Sequence, residues 1–306
     1  MPPPASDFPA SRPIFSNAYL LLAITTLLWG GNAIAARLAV GHISPMVLTA
    51  GRWFVVLVII ALFLRAPLRE AMPVLRRHWL FALVMGMLGY TFFNALMYVA
   101  GHYTSAVNIT LLQGSIPVST MIGAYLVFGS RITWLQIIGI LLTLVGVAVT
   151  ASGGDPARLK ALAFNFGDLL MVIASVLYAV YTVLLNKRPP MRALAFYCGM
   201  AIAAALASMP FLIAEILMDK SGLPTLRGWL ILAYVAIGPS LISQILFMRA
   251  VELVGPARAG LFTNLTPVFG ALLAVLILGE HFGWHHAVSM ALVIGGIAIA
   301  EKGRSR

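Results

Sequence analysis

The residues with chemistry to offer are amides, hydroxyls and aromatic rings recurring at helical spacing inside apolar runs. Tyr90, Asn94 and Tyr98 stand at i, i+4 and i+8 and so share one helix face. Trp29 and Asn32 lie in "LLWGGNAIAAR", Tyr178 and Tyr181 in "SVLYAVYTV". Gln113, Ser115, Thr263, Asn264 and Thr266 cluster around Pro117 and Pro267. Such groups can complete the hydrogen bonds of a small amphipathic solute and enclose its apolar part, and ring faces attract ammonium groups. They serve equally as hydrogen bonds between membrane helices. Arg52 adds one cation, about six residues into an apolar run. At that depth a charge is costly and marks either function, such as capture of a carboxylate, or a side chain that snorkels outward or holds a neighbouring helix end.

What is missing narrows the chemistry. Asp7, Glu70, Asp155, Asp168, Glu215, Asp219, Glu252, Glu280 and Glu301 all fall in loops or near the ends of apolar runs, and the six histidines are placed likewise. No mid-span acid or histidine is left to relay protons. Proton coupling would then fall to an interfacial group such as Asp168 or Glu280, and uniport or exchange is favoured. His281 and His285 stand at i, i+4 beside Glu280, but Gly283 interrupts the helix and a tight turn results, so no metal site is expected. Cys198 is the one cysteine, which excludes an intrachain disulfide and a cysteine-based metal site. Neither a phosphate-cradling glycine loop nor a nucleophile elbow is present. No cofactor is expected, and the chain does not read as an enzyme.

The elements that must position these groups are set by composition. The chain is 61% hydrophobic and 9% charged, with a mean hydropathy of +0.98, which places it in the membrane. Its net charge of +11 does not indicate nucleic acid, because the basic residues are scattered between apolar runs instead of forming one face with interleaved aromatics. Apolar runs long enough to span a bilayer lie at about 18–38, 46–64, 79–99, 105–128, 132–151, 166–185, 192–214, 229–248, 257–278 and 284–300. The first could be misread as a cleaved signal, since "AIA" at 33–35 looks like a cleavage site; its length predicts a retained helix. In alternate loops Arg12, Arg65, Arg69, Arg76, Arg77, Arg131, Lys187, Arg188, Arg192, Arg249, Arg258, Lys302, Arg304 and Arg306 share one side. Arg37, Arg158, Lys160, Lys220 and Arg227 hold the other. The richer side is cytoplasmic and carries both termini.

Shifting the sequence by 150 residues aligns 77–151 with 227–301 without a gap. Arg77 meets Arg227, Trp79 meets Trp229, Pro117 meets Pro267, Gly129 meets Gly279, Trp134 meets Trp284 and Gly146 meets Gly296. Asn94 pairs with Gln244, whereas Arg52 pairs with the uncharged Ile202. Five spans per copy is an odd number, so the copies must enter the membrane with opposite polarity. The expected fold is an all-α membrane protein of ten transmembrane helices in two inverted five-helix repeats. Its parts are a Pro-rich cytoplasmic tail (1–17), the first repeat (18–151), a connecting loop (152–165), the second repeat (166–301) and a basic cytoplasmic tail (302–306). Inverted repeats put a site at mid-membrane between halves that can open to either side. Each proline frees the carbonyl four residues earlier, at Gln113 and Thr263, which in hydrocarbon must meet protein or a wet cavity. Pro117 and Pro267 are therefore expected as mid-span kinks with a gating role, lining a central path.

The chain resembles the drug/metabolite transporter superfamily, EamA type. The resemblance rests on "WGGN", on "SPMVLTAGRW" with Arg52, and on the twin signatures "PVSTMIGAYLVFGSRITWLQIIGILLTLVGV" and "PVFGALLAVLILGEHFGWHHAVSMALVIGG". It implies a ten-helix inner-membrane carrier, often an exporter of amino acids or related metabolites, with a central cavity between repeats. The family's Glu after the signature glycine stands as Glu280 in the second copy, but Ser130 takes its place in the first, which breaks any symmetric role.

The expectation is a secondary transporter, an exporter more than an importer, moving small amphipathic metabolites such as amino acids across the plasma (bacterial inner) membrane by alternating access. Its substrate-binding residues are Trp29, Asn32, Arg52, Tyr90, Asn94, Tyr98, Gln113, Tyr178, Tyr181, Gln244, Thr263 and Asn264. The rivals are a multidrug or quaternary-amine transporter and, in another class, a membrane-embedded enzyme or a non-transporting scaffold. The partners are a small-molecule substrate and membrane lipid. The oligomeric state is open, with a monomer allowed.

Overall fold

The computed structural model describes residues 16–129, 132–155, 157, 165–254, 259 and 262–303. Most of the expected N-terminal tail, Ser130, much of the expected connecting loop and residues 304–306 lie outside the described residues. Among the described residues every regular element is helical.

Helix α1 (Ala18–Leu38) opens on Asn17, whose side chain accepts from Leu20 N at 3.2 Å, a standard N-cap. Helix α2 (Pro45–Phe63) starts with proline in its first turn, where no backbone donor is lost to the helix. Helix α3 (Arg65–Arg77) was not among the expected elements. It carries Arg65, Arg69, Arg76 and Arg77, with Ala71 buried and Leu68 and Leu75 packed against the core, the make-up of a helix lying along a membrane surface. Then come α4 (Trp79–Ala100), α5 (Ala106–Gln113), α6 (Ile116–Phe128), α7 (Trp134–Ser152), α8 (Phe166–Leu184) and α9 (Ala193–Leu217). Helices α10 (Leu226–Val254), α11 (Thr266–Leu278) and α12 (Trp284–Lys302) follow.

Among the described residues seven helical segments are long and apolar enough to cross a membrane: α1, α2, α4, Ala106–Phe128, Phe166–Lys187, α9 and α10. Shorter apolar helices, Trp134–Thr150, Thr263–Leu278 and Trp284–Ala300, occupy the other three expected places. Large side chains such as Phe54, Val58, Leu126, Leu141, Leu206 and Leu276 are exposed on the outside, as a lipid-facing surface requires.

The duplication read from the sequence recurs in local structure. A π-helical stretch, Met87–Phe92, lies inside α4, and another, Ala236–Ile242, lies inside α10 at the matching register. Helices α6 and α11 begin and end 150 residues apart, and each stops at a left-handed glycine, Gly129 (φ 63°) and Gly279 (φ 65°), a conformation that disfavours any Cβ. The packing is reciprocal. Helix α1 packs on α10 and α11, and α8 packs on α4 and α6; α2 faces α9, and α7 faces α12. Exchanging the two halves turns each pairing into another of the set. In the α7–α12 pair the backbones themselves meet, since a Cβ on Gly139 would lie 2.3 Å from Gly296 O and one on Gly296 would lie 2.6 Å from Gly139 O. Small residues permit this approach where lipid provides no hydrophobic force between helices.

The two prolines differ from expectation. Instead of kinking continuous helices, each stands at the start of a new one, in the first turn of α6 and α11. Before α6 the chain makes a tight turn, with Gly114 N bonding Leu111 O (3.0 Å) and Ser115 N bonding Leu112 O (3.1 Å). Before α11 it makes a short 3-10 turn, Thr263–Leu265. Proline in a first turn removes no intrahelical bond, which is why neither is costly. Around the first break the Ser115 (2.7 Å) and Ser175 (3.4 Å) hydroxyls donate to Leu112 O.

Candidate substrate site

Arg52 is 2% exposed and holds the centre of a hydrogen-bond network that joins both halves. Its Nε donates to Ser240 Oγ at 2.7 Å. Its Nη1 donates to Asn94 Oδ1 and to the Tyr98 hydroxyl. Tyr98 donates in turn to Asn32 Oδ1 (3.0 Å), and Asn32 Nδ2 donates to Asn94 Oδ1 (3.2 Å). The guanidinium carbon lies 5.3 Å from the Trp53 ring centre and 5.7 Å from that of Tyr98, close enough for cation–π attraction.

Local backbone geometry aims these groups. Asn94 Nδ2 donates back to Tyr90 O at 2.6 Å, which fixes the amide with its oxygen toward the arginine. In α10 the Ser240 hydroxyl donates to Val235 O at 2.5 Å, five residues back in the π-helical stretch, and Tyr197 donates to Ser240 O at 2.5 Å. π-Segments are a common way to turn a side chain inward at functional sites. In "WGGN", Gly30 abuts the Gly270 backbone, where a Cβ would lie 2.7 Å from Gly270 N, so α1 can carry Asn32 into the interior.

Placing a lone arginine at the centre of a membrane helix costs about 2.5–3.5 kcal/mol on insertion scales. Hydrogen bonds to a charged group return about 1.5–3 kcal/mol each. Three of them suffice to hold the guanidinium inside, so snorkelling is unnecessary. An aromatic wall continues from this point: Trp53 stacks on Tyr90 at 4.8 Å and 6°, Tyr90 meets Tyr181 at 5.8 Å, and Tyr181 meets Tyr178 at 5.3 Å.

Of the residues named from the sequence, Asn32, Arg52, Asn94 and Tyr98 form the network, and Tyr90, Tyr178 and Tyr181 form the wall. Gln113 is attached at the edge, its Nε2 donating to Met97 Sδ at 3.9 Å, as does Asn32 Nδ2 at 3.9 Å. Trp29 packs on Phe247 at 5.3 Å, outside the network. None of the network's hydrogen bonds reaches Gln244, Thr263 or Asn264, which are half-buried. Symmetry with Asn94 pointed to Gln244, but the residue of the second half that meets the arginine is Ser240. Its register with Tyr90, 150 residues earlier, was the available signal. Trp53 and Tyr197 were also unforeseen, and for Tyr197 the sequence holds no signal beyond a polar atom in an apolar run.

A second polar cluster closes one end of the bundle. Glu280 accepts from Ala106 N (2.8 Å) and Val107 N (3.0 Å) at the start of α5, with Arg37 Nε 4.0 Å away. Glu215 accepts from Ser44 Oγ (2.6 Å), Met46 N (3.2 Å) and Val47 N (3.3 Å) at the start of α2. Both carboxylates belong to the second half and cap helices of the first, favourably aligned with the helix dipoles. Beside Glu280 lies a recess of about 490 Å³ whose lining includes Arg37, His102, Thr104, Asn108, Asn165 and His286. Burial and, after it, the Arg37 cation hold His102 below its ordinary pKa. The recess is removed from both prolines, around which the sequence placed the central path.

The sequence pattern of the EamA-like transporter family matches residues 16–152 and again 165–301. The chain is 26% identical over 292 residues to "Uncharacterized transporter YyaM" of Bacillus subtilis (strain 168), covering 93% of each. It is 24% identical over 299 residues to "Uncharacterized inner membrane transporter YedA" of Escherichia coli (strain K12), covering 95% of this chain and 92% of that one. A crystal structure titled only as that of a protein shares the fold with a TM-score of 0.63 and 22% identity, over 95% of this chain and 99% of the other.

Proposed function

The chain belongs to the EamA-like transporter family, and from that premise we propose that it is a secondary transporter working by alternating access. Its cargo is a small amphipathic metabolite, with amino acids the first candidates, carried outward across the plasma membrane of a bacterial cell. One observation carries this reading. The buried polar centre is built from both halves, with Arg52, Asn94 and Tyr98 supplied by the first and Ser240 by the second. A site at the seam of two halves is remodelled whenever those halves rock, which is what alternating access requires.

The reciprocal packing and the paired π-segments support ten spans arranged as an inverted repeat, with the three shorter helices completing the count. The binding set is Asn32, Arg52, Asn94 and Tyr98 with the wall of Tyr90, Tyr178 and Tyr181. Gln113 stands at the edge. Basic-residue placement supports cytoplasmic termini, and YedA, an inner membrane transporter by name, supports the location. A quaternary-amine carrier is disfavoured, because the central charge is a cation.

Reconstitution into proteoliposomes with a panel of labelled amino acids tests the proposal. Saturable flux of at least one solute is expected, and flux no greater than that of empty liposomes for every solute would end the carrier reading.

A further inference from the structure

We propose that Arg52 is an anion receptor and that the transported solute carries a carboxylate, which refines the substrate class of the site above and rests on that reading. The protein leaves this guanidinium without a counter-charge. Arg52 forms no ion pair among the described residues, and its three hydrogen bonds go to neutral oxygens. Five carboxylates are engaged elsewhere. Glu215 and Glu280 cap helices, Asp168 accepts from Thr104 (2.5 Å) and Asn108, Glu70 faces Arg192 and Glu252 faces Arg249.

The hydrogen-bond count is equally one-sided. A guanidinium has five N–H groups. Nε and Nη1 are used, whereas Nη2 donates to none of the described residues. It is also not among the sealed side-chain atoms that lack a partner, which are Trp53 Nε1 and Thr266 Oγ1, so it faces space rather than packed apolar atoms. Trp53, the neighbour whose ring lies against the guanidinium, is itself 2% exposed and its indole N–H lacks an acceptor. The group left open to a ligand is thus the Nη2 donor of Arg52, since the indole N–H is sealed. A ligand that satisfies Nη2 must supply acceptor oxygens, and a carboxylate does so while neutralising the buried charge, forming the stronger class of hydrogen bond. An ammonium group alone would add a second cation and no acceptor. The adjoining rings of Trp53, Tyr90, Tyr181 and Tyr178 suit an apolar body attached to that carboxylate.

Only the first half carries this charge. Helix α9, the packing partner and counterpart of α2, contains no lysine or arginine, so the site binds one carboxylate.

The test uses the purified full chain and matched probes: 3-phenylpropanoate (anion), phenylalanine (zwitterion) and phenethylamine (cation), titrated calorimetrically at one pH. At least tenfold tighter binding of 3-phenylpropanoate than of phenethylamine is expected. Equal or tighter binding of the amine, or binding of neither carboxylate, overturns the assignment. Arg52→Gln is expected to abolish the preference and Arg52→Lys to retain it with weaker affinity. A preference unchanged in folded Arg52→Gln refutes the role, and should that variant not fold, the wild-type comparison decides. The same probes in a flux assay separate the two claims. Saturable flux of the amine alone leaves the transporter standing and removes the anion receptor. Carboxylate binding without flux of any solute does the reverse.

Discussion

Gly295 and Gly296 are adjacent in α12, yet alanine at each should shift stability in opposite directions. A Cβ on Gly296 would stand 2.6 Å from Gly139 O and 2.5 Å from Thr143 Oγ1, whereas ordinary contact begins near 3.4 Å, so α7 and α12 must part by about 0.8 Å. Backbone cannot rotate aside as a side chain can, and overpacking of this kind costs about 1–3 kcal/mol. Alanine recovers about 0.5–1 kcal/mol of helix propensity, leaving a net loss of about 1–2 kcal/mol. A Cβ on Gly295 meets nothing within 4 Å, so there the propensity gain stands alone. With about 2–4 °C per kcal/mol for large domains, Gly296→Ala should melt about 2–8 °C lower and Gly295→Ala about 1–4 °C higher. Thermal unfolding of the purified protein, followed by fluorescence-detected size exclusion, reads both. If Gly295→Ala falls as far as Gly296→Ala, the close approach of the two helices is not as described.

Asn94→Ala removes a partner of a buried charge worth about 1.5–3 kcal/mol and should lower flux at least tenfold at unchanged expression. Gln244→Ala, outside the network, should stay within about twofold in the same liposome assay. Glu280→Ala strips the cap from Ala106 and Val107 and should cost about 1 kcal/mol; Glu280→Gln, which keeps hydrogen bonds but loses the dipole interaction, should cost less, and melting temperatures of the pair give the order. His102 sits below its ordinary pKa in the folded protein, so between the two values the unfolded chain binds more protons and stability rises with pH. Its contribution is unfavourable well below pH 6.5 and vanishes above it. The gain in melting temperature from pH 5 to pH 7 should therefore be smaller in His102→Asn, and an unchanged gain would refute the shift.

The apolar runs and the 150-residue register were legible because both are properties of residue type along the chain. Asn32, Asn94, Tyr98 and Arg52 were legible for a related reason: polar groups inside such runs are too costly to be placed idly. Which of them touch was not, since contact depends on rotations about helix axes. Tyr90, Asn94 and Tyr98 recur at i, i+4 and i+8, which drew attention to them, whereas Ser240 is a lone hydroxyl in the π-segment Ala236–Ile242 with no such pattern around it. Symmetry pointed to Gln244, but Arg52, the partner of Asn94, is matched in the second half by the uncharged Ile202. Helix α3 was read as part of a loop because its arginines interrupt the apolar run, although Leu68, Ala71 and Leu75 already marked one side of a helix. Proline was read as a kink since sequence does not say whether a helix restarts just before it.

The reciprocal packing of the two halves has a consequence for ancestry. A single five-helix unit pairing with an identical copy would meet the same contacts, but it would bring two Arg52 side chains to the shared centre, where like charges repel. Two halves free to differ, as the Arg52 and Ile202 positions of this chain do, keep a solitary cation there. Replacing the second half with a copy of the first would restore that repulsion.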